Sequence, residues 1–300
     1  MEDGGHMIAW MSGPAEKSAI FAPGLLSGRV ALVTGGGTGL GKATALELAR
    51  CGATAVIAGR RGEVLEGAVS EIGAAGDWIA GDVREREDAE RLVATVLERY
   101  GRLDLLVNNA GGQFFAPAEK IAPKGWRAVW RLNVDGMLNM AEAAFERAMG
   151  PAGGGTIVNV TLSPHHGMPG MAHSGAARAA VEELTRELAR RWAGEGVAVT
   201  AVAAGHFDTE ALEKYPATLR AGMARTVPLQ RLGRVEEHAW LVALLASPLG
   251  RALNGSTVTL DGARDNWFGP WPPPGLADAS GEVPTEERKG LEAKGLSGGV

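Results

Sequence analysis

The segment RVALVTGGGTGLG, residues 29–41, decides the fold. Its first half is an apolar run that predicts a buried strand, its second half is rich in glycine, and a helical pattern follows from Gly41 to Cys51. Backbone amides of such a turn can approach a pyrophosphate closely, and the helix N-terminus favours the negative charge. The sequence therefore predicts a dinucleotide-phosphate site. Its members are Gly35, Gly37, Thr38, Gly39, Leu40 and Gly41.

Short apolar runs and amphipathic stretches alternate along most of the chain. The apolar runs predict strands at residues 29–35, 54–60, 77–83, 103–111, 155–161, 197–205 and 256–262. The amphipathic stretches predict helices at residues 41–51, 62–73, 85–100, 124–148, 174–193 and 236–245. Because the strands are apolar on both faces, helices must cover both sides of a parallel sheet. We predict one α/β domain with a doubly wound, Rossmann-type parallel sheet, over residues 28–263.

The two ends of the chain lack this alternation. Residues 1–27 begin acidic and contain no sustained apolar core, which predicts a flexible arm and not a signal peptide. Residues 264–300 contain a proline-rich stretch and then a charged, glycine-rich end. This composition is typical of a proline-stiffened tail.

The composition limits the classes of partner. A hydrophobic share of 45% with 22% charged residues indicates a folded protein. The formal net charge of -5 offers no basic surface for nucleic acid or an anionic membrane. Cys51 is the single cysteine, so no intrachain disulfide can form, and no apolar run approaches the roughly 20 residues that span a bilayer. We expect a cytoplasmic protein that binds neither nucleic acid nor membrane.

The ends of three further strands supply candidate cofactor contacts. An acidic residue after the second strand would repel a ribose 2′-phosphate, but Arg60 and Arg61 stand there, which favours NADPH. The alternative is that both arginines are solvated surface charges. The other candidates are Asp82 and Val83 for adenine, and Asn109, Ala110 and Gly111 for support of the cofactor, each with a purely structural role as the alternative.

Three features together resemble the short-chain dehydrogenase/reductase family, over roughly residues 22–263. They are TGxxxGxG at residues 34–41, NNAG at residues 108–111, and Asn133 inside a helix. The segments at residues 21–44, 107–129 and 172–189 look similar to peroxisomal trans-2-enoyl-CoA reductases, near 2,4-dienoyl-CoA reductases and bacterial citronellol or citronellal dehydrogenase-like proteins. This resemblance implies an NADPH-dependent reductase of unsaturated acyl thioesters that assembles as a homotetramer.

The helix after the fifth strand departs from the family motif. Most members have a Tyr and, four residues later, a Lys, where this chain has Ser174 and Arg178. An arginine keeps its proton and a lone serine is a poor acid, so the usual proton donor is missing. We assign Arg178 to the ribose hydroxyls and a fixed positive field, and Asn133 to the helix backbone and a water. We assign Ser174, Ser163 and Thr161 to hydrogen bonds with the thioester.

The segment after the sixth strand completes the site that the resemblance implies. Thr209 stands where the family contacts the nicotinamide carboxamide, close to Gly205 and Phe207. Ala204 replaces the proline that usually precedes this glycine. Tyr215 falls in the segment where the family places its substrate loop, although packing is the stronger prediction for it.

The remaining titratable candidates are predicted to lie farther from the chemistry. Tyr100 is expected on the far side of the sheet. Glu182 follows Ser174 by eight residues, or about 12 Å of helix, and is predicted to be a surface or interface residue. The candidates for a proton relay or a thioester hydrogen bond, with loop polarity as the alternative and no metal expected, are His165, His166 and His173.

The missing tyrosine separates the possible functions. Reduction of an enoyl thioester needs a hydride, donors for the enolate oxygen, and a proton that water can supply. Alcohol oxidation instead needs a base, which this chain has lost. We therefore predict reduction of an enoyl or dienoyl thioester with NADPH. The alternatives are an alcohol, aldehyde or 3-hydroxyacyl dehydrogenase of the same family, and a catalytically inactive NADP-binding protein.

Overall fold

The computed structural model describes residues 20–163, 165–166, 170–214 and 222–267. Its strands are β1 (Val30–Thr34), β2 (Thr54–Gly59), β3 (Gly76–Ala80), β4 (Leu105–Asn108), β5 (Gly155–Leu162), β6 (Val197–Ala204) and β7 (Thr257–Leu260). They form one sheet in the order β3-β2-β1-β4-β5-β6-β7, and every neighbouring pair is parallel. From β1 the chain adds β2 and β3 on one side, and then crosses over to add β4 to β7 on the other side of β1. This confirms the predicted doubly wound α/β fold.

Helices connect these strands as the amphipathic pattern predicts. Their bounds are α1 (Gly39–Arg50), α2 (Gly62–Ile72), α3 (Arg86–Tyr100), α4 (Pro123–Trp130), α5 (Gly136–Ala144), α6 (Ala172–Trp192) and α7 (Val235–Ala246). Two π-helical turns, Arg131–Asp135 and Phe145–Met149, continue α4 and α5. The single helix predicted at residues 124–148 is therefore one helical segment with two wider turns, a feature that apolar spacing does not reveal.

Two hydrophobic cores lie on the two faces of the sheet because side chains alternate along each strand. One core contains the strand residues Leu32, Val56, Leu106, Ile157 and Val199, together with Leu92 of α3, Met140 of α5 and Val181 of α6. The other contains Val33, Ile57, Val107, Val158 and Val202, together with Leu48 of α1, Leu65 of α2 and Val242 of α7. Burial on both faces explains why the strands are apolar throughout.

Short segments beyond both predicted domain bounds also pack against the domain. Leu26 is buried, and its amide donates to the carbonyl of Cys51 at 2.8 Å. After β7, the amide of Asp265 donates to the carboxylate of Asp261 at 2.7 Å. The packed unit therefore extends past residues 28 and 263. Most of the predicted arm and tail, residues 1–19 and 268–300, lies outside the described residues.

The register of β5 and β6 positions the loops that follow them. The two strands pair over their full lengths, from Gly155 opposite Val197 to Leu162 opposite Ala204. Their carboxyl ends therefore lie level, and the loops after them are adjacent at one edge of the sheet. Across the described part of the chain, no helix has both the length and the apolar character needed to span a membrane.

Candidate active site

A cleft of about 580 Å³ lies at the carboxyl ends of the parallel strands, where doubly wound sheets bind their ligands. Segments following β1 to β6 form its wall. The predicted site residues that line it are Gly35, Gly37, Thr38, Gly39, Leu40, Arg60, Arg61, Asp82, Val83, Asn109, Ala110, Gly111, Thr161, Arg178, Gly205, Phe207 and Thr209. The predicted site residues that do not line it are Gly41, Asn133, Ser163 and Ser174.

The glycine-rich turn after β1 leaves backbone amides open to the cleft. Gly35 has a φ of +65°, and a Cβ on Gly41 would lie 2.3 Å from the Gly35 carbonyl oxygen. A side chain at either position is therefore excluded. The first turn of α1 has no acidic residue, and the Thr38 side chain makes no capping hydrogen bond. The N-terminus of α1 thus has the open donors and positive dipole that an anion needs.

Asn109 fixes this turn from the end of β4. Its Nδ2 donates to the carbonyls of Thr34, at 3.0 Å, and Gly35, at 3.2 Å. The backbone amides of Asn109 and Ala110 donate in return to Oγ1 of Thr34 at 3.1 and 3.0 Å. Thr34, the first residue of the TGxxxGxG motif, is a further site residue, which the sequence alone did not distinguish from a threonine that merely ends a strand.

The end of β2 places two cations on the cleft wall. Arg60 and Arg61 are exposed there, and neither forms an ion pair with any described residue. Asp82, the predicted adenine contact, is bound within the protein: its amide donates to Asp88 at 2.8 Å, and its carboxylate accepts from Arg84. Hydrogen bonds from Arg84, and to a smaller extent the charge of Arg60, lower the pKa of Asp82. Its carboxylate is therefore committed to an arginine.

Val83, the second predicted adenine contact, stands beside Asp82 on the wall. It is buried, and its carbonyl accepts from Nδ2 of Asn139 at 3.1 Å. The Val83 carbonyl is thus bonded to Asn139 of α5, so Val83 would contact a ligand in the cleft through its apolar side chain.

Arg178 brings a positive charge into the wall of the cleft. Its Nη1 donates to the carbonyl of Val160 at 2.8 Å, whereas its buried Nε has no partner among the described residues. Burial lowers the pKa of Arg178 to about 10, so the side chain stays charged near neutral pH. A Cβ on Gly111 would lie 2.6 Å from Nη2, so the guanidinium fits only against a glycine. No described carboxylate pairs with this charge, which is therefore available to a ligand.

Asn133 joins two backbone segments beneath the cleft. Its Nδ2 donates to the carbonyl of Val129 at 2.7 Å and to that of Gly112 at 2.8 Å, and its Oδ1 accepts from the Gly112 amide at 3.2 Å. The side chain is buried in the π-helical turn. Asn133 thus holds the glycine segment after β4, which contacts Arg178, against the helix.

Two of the three hydroxyls that we assigned to the thioester need correction. Ser174 is fully buried and does not line the cleft, and no described residue bonds its Oγ. Ser163 is also buried, and its hydroxyl donates to the carboxylate of Asp261. The helical spacing correctly placed Ser174 on the same segment as Arg178. A hydroxyl attached directly to Cβ, however, ends too close to the helix to reach the cleft.

Thr161 does line the cleft, but its hydroxyl is bonded within the protein. Oγ1 donates to the carbonyl of Arg178, at 3.3 Å, and to Oε1 of Glu182, at 3.2 Å. Glu182 is buried within the single chain, so the prediction of a surface position was wrong. Side chains of a helix slope toward its N-terminus, which carries this carboxylate back to the strand ends.

Two further residues complete this contact, and the sequence analysis did not connect them. Nε2 of His165 lies 3.1 Å from Oε1 of Glu182, and its Nδ1 lies against Oδ2 of Asp265. Asp265 falls within the predicted tail and His165 in the loop after β5, about a hundred residues earlier. No local pattern could have joined them.

The segment after β6 closes the cleft over the glycine turn. A Cβ on Gly205 would lie 2.5 Å from Cβ of Asp261, so this backbone packs tightly against the end of β7. Phe207 is buried, and Cγ2 of Thr209 lies 3.7 Å from the Cβ position of Gly39. Thr209 therefore stands at the phosphate turn.

His173 and Tyr100 lie away from the cleft wall. His173 is buried against the rings of Phe114 and Trp126, with centroids 4.3 and 6.0 Å away, and burial lowers its pKa. The Tyr100 hydroxyl donates to Asp77 at 2.7 Å. Tyr215 lies outside the described residues. Among the residues that the structure describes, no group of acidic, histidine or cysteine side chains is arranged to hold a metal ion.

A family model described as enoyl-(acyl carrier protein) reductase matches residues 35–263. The chain belongs to this family of short-chain dehydrogenases/reductases. This is a family of oxidoreductases that use a nicotinamide cofactor.

Individual relatives and a solved structure agree with this assignment. The chain is 37% identical to a probable 2,4-dienoyl-CoA reductase of Bacillus subtilis, over 81% of this chain and 98% of the relative. It is 34% identical to a peroxisomal 2,4-dienoyl-CoA reductase of Arabidopsis thaliana, over 81% and 86% of the two chains. The structure of a citronellol catabolism dehydrogenase of Pseudomonas aeruginosa superposes with a TM-score of 0.75 at 40% identity, covering 83% of this chain and all of that one.

Proposed function

We propose that this protein reduces the carbon–carbon double bond of an enoyl or dienoyl thioester with NADPH. The observation that carries the proposal is the charged, unpaired guanidinium of Arg178 in a cleft whose described lining contains no tyrosine. A fixed positive charge stabilises an enolate oxygen as it forms. Oxidation of an alcohol would instead need a base at this place.

The residues of the cleft fit a dinucleotide phosphate. The first turn of α1 offers uncapped amides, and the Gly35 and Gly41 positions exclude side chains from the approach. Arg60 and Arg61 supply free cations at the end of β2, where a ribose 2′-phosphate would lie. We therefore infer NADPH as the partner of this site.

The chain's own residues then orient and stabilise the reacting groups. When bound, a nicotinamide cofactor would supply the hydride. Arg178 binds the ribose hydroxyls and holds its positive charge toward the thioester, while Asn133 keeps the glycine segment in place against the guanidinium. The acyl chain would contact the apolar part of the wall, which includes Phe115, Leu132, Leu162, Met171, Leu212 and Met223.

The activities of the similar proteins support the proposal and its main alternative. Both dienoyl-CoA reductases favour reduction of a conjugated double bond. The citronellol catabolism dehydrogenase favours a dehydrogenase acting on an alcohol or aldehyde, but the Ser174 position of this chain offers no base. A protein that binds NADPH without catalysis is the third possibility, and the same assay separates all three.

The test combines a substrate panel with isotope labelling. The purified protein is mixed with NADPH and, in separate reactions, with enoyl-CoA, dienoyl-CoA, ketone and aldehyde substrates. We expect NADPH oxidation only with the conjugated thioesters. Reduction of an enoyl-CoA in deuterated water should place deuterium at Cα, and deuterated NADPH should label Cβ. Turnover of alcohols or ketones alone would establish the dehydrogenase, and binding of NADPH without any turnover would establish the inactive protein.

A further inference from the structure

Three side chains that the proposed function does not use form one cluster beside the cleft. They are Glu182 of α6, His165 of the loop after β5, and Asp265 of the short helical turn Arg264–Asn266. Glu182 is 8% exposed, which is rare for a carboxylate unless it is paired. We call these three residues together with Thr161 the proton cluster.

The contacts of His165 require an additional proton in this cluster. A carboxylate can only accept hydrogen bonds, and His165 has a carboxylate at each ring nitrogen. Either both nitrogens carry protons or one carboxylate is protonated. Burial alone would lower the pKa of His165, but the hydrogen bond with Asp265 and the charge of Glu182 outweigh it and raise the pKa.

The cluster connects solvent with the cleft. The His165 side chain is 35% exposed, so it can exchange protons with water. Its Nε2 lies 3.1 Å from Oε1 of Glu182, and that same oxygen accepts from Oγ1 of Thr161 at 3.2 Å. Thr161 lines the cleft. The contacts from His165 to Glu182 and from Glu182 to Thr161 are both within hydrogen-bonding distance.

Other charged groups lie near His165, on its own loop, on the segment after β7 and on α6. His166, on the same loop, lies 3.4 Å from Oδ1 of Asp265. Asp261 follows β7 and accepts from the amide of Asp265 at 2.7 Å. Arg264 is adjacent in that segment, and Arg178 lies one turn before Glu182 on α6. Glu182, Asp261 and Asp265 thus place three carboxylates against this loop, which favours a protonated imidazole.

We propose that the proton cluster delivers the proton that completes the reduction of the thioester, so this inference rests on the proposed function. When NADPH is bound, its hydride would form the C–H bond at Cβ, and the electron pair of the double bond would move into the enolate. The Thr161 hydroxyl rotates toward the cleft and gives its proton to Cα. Glu182, protonated by His165, restores the Thr161 proton, and water restores His165. Overall the substrate gains one hydride and one proton, and NADPH becomes NADP⁺.

The roles within the cluster differ. Thr161 touches the substrate, whereas Glu182 and His165 act through it and are positioning residues for the proton. The cluster thereby replaces the tyrosine that is missing at Ser174. Proton transfer would also explain why α6 has a glutamate, Glu182, at a buried position where an apolar residue would pack equally well.

The decisive variant is Glu182→Gln, which keeps the shape and the hydrogen-bonding oxygen but cannot carry a proton. We expect kcat with an enoyl-CoA to fall roughly a hundredfold, because general acid transfer contributes about 10² to 10⁴. The KM for the thioester and the affinity for NADPH should change less than about twofold. The matched control is Glu183→Gln, since Glu183 is the adjacent residue, exposed and paired with Arg186. It should retain the wild-type kcat.

The pH profile separates proton transfer from a structural role. Wild-type kcat should fall as pH rises through the raised pKa of His165, because the cluster must start protonated. Both Glu182→Gln and His165→Gln should lose this limb and keep a low, flat kcat. A solvent deuterium isotope effect should accompany turnover in the wild type.

Each other outcome overturns the proposal. If Glu182→Gln keeps the wild-type kcat and pH profile, the relay is wrong while the proposed function stands. A lower melting temperature with an unchanged pH limb, or an equal loss in Glu183→Gln, would show a structural effect on α6. If the wild-type protein reduces no enoyl or dienoyl thioester, the proposed function itself fails and the relay with it.

Discussion

Arg178 donates a hydrogen bond from Nη1 to the main-chain carbonyl of Val160 at 2.8 Å. This hydrogen bond holds the guanidinium, which α6 carries, against the carboxyl-terminal end of β5. Gly111 has no side chain and so leaves the space that the guanidinium occupies. The positive charge therefore has a fixed position relative to the strand ends. A fixed charge stabilises a developing anion more than a mobile one, because it does not have to reorganise during the reaction.

Replacement of Arg178 by Ala should lower kcat/KM roughly a hundredfold or more, since it removes both cofactor orientation and the positive field. Arg178→Lys keeps a charge but not the planar donor geometry, so it should recover part of the loss. Steady-state kinetics with an enoyl-CoA measure both effects. Arg186→Ala, an exposed position on the same helix, serves as the control. Wild-type activity in Arg178→Ala would contradict the proposed role.

Arg60 should select NADPH over NADH. Arg60→Ala should raise the NADPH dissociation constant roughly tenfold to a hundredfold, because a charge-assisted hydrogen bond contributes about 1.5 to 3 kcal/mol. Affinity for NADH, which lacks the 2′-phosphate, should remain unchanged. Isothermal titration calorimetry measures both constants. Equal affinity of the wild type for the two cofactors would show that the arginines are only surface charges.

Asn133 should contribute to the stability of the fold as well as to the site. Asn133→Ala leaves the amide and carbonyl of Gly112 without their partner, so unfolding should become easier by about 3 kcal/mol. Asn139→Ala removes one hydrogen bond, to Val83, and should cost about 1 kcal/mol. Chemical denaturation of both variants gives these values. Equal, small losses would mean that the Gly112 backbone finds other partners.

Most of the fold could be predicted from the sequence because its signals are local. The apolar run before Gly35 and the glycine turn after it specify a strand, a turn and a helix within residues 29–51. How deeply a side chain is buried depends on residues that are distant in the sequence. The spacing of Ser174 and Arg178 places both on α6, but only packing determines that the serine is buried while the longer arginine reaches the cleft.

The contacts of Glu182 show the same limit more strongly. The distance along a helix axis predicted a remote residue, yet the slope of the side chain and the loop carrying His165 bring it to Thr161. Asp265, which completes the cluster, lies about a hundred residues from His165. A single sequence contains no periodic signal for such a contact.

The oligomeric state is a further prediction, which rests on the family resemblance. β7 is one of the two outer strands of the sheet and is half-buried. Among the described residues it pairs with β6, and its other edge is open for pairing. We expect a homotetramer with two-fold axes. Multi-angle light scattering at micromolar protein should give about four times the chain mass. A mass equal to one chain would refute the prediction, and a dimer would show that only one interface forms.

His238 should make the fold sensitive to acid. Its ring is fully buried between α1 and α7, where Nδ1 contacts Oγ1 of Thr44 at 3.3 Å and no residue in the described part of the chain bonds Nε2. Burial lowers the pKa of His238 to about 4, from the ordinary histidine value of 6.5 that applies in the unfolded chain. Between these two values the unfolded state binds a proton that the folded state does not, so stability rises with pH in this window and is constant above it.

At pH 5 this group alone should therefore reduce the free energy of unfolding by about 2 kcal/mol relative to pH 7. His238→Gln removes the titrating group while keeping a polar side chain that can bond Thr44. Urea denaturation at pH 5, 6 and 7 should show a difference between pH 5 and pH 7 that is smaller in the variant by about that amount. If the free energy of unfolding changes with pH by the same amount in the variant and the wild type, His238 does not cause the loss of stability at acid pH.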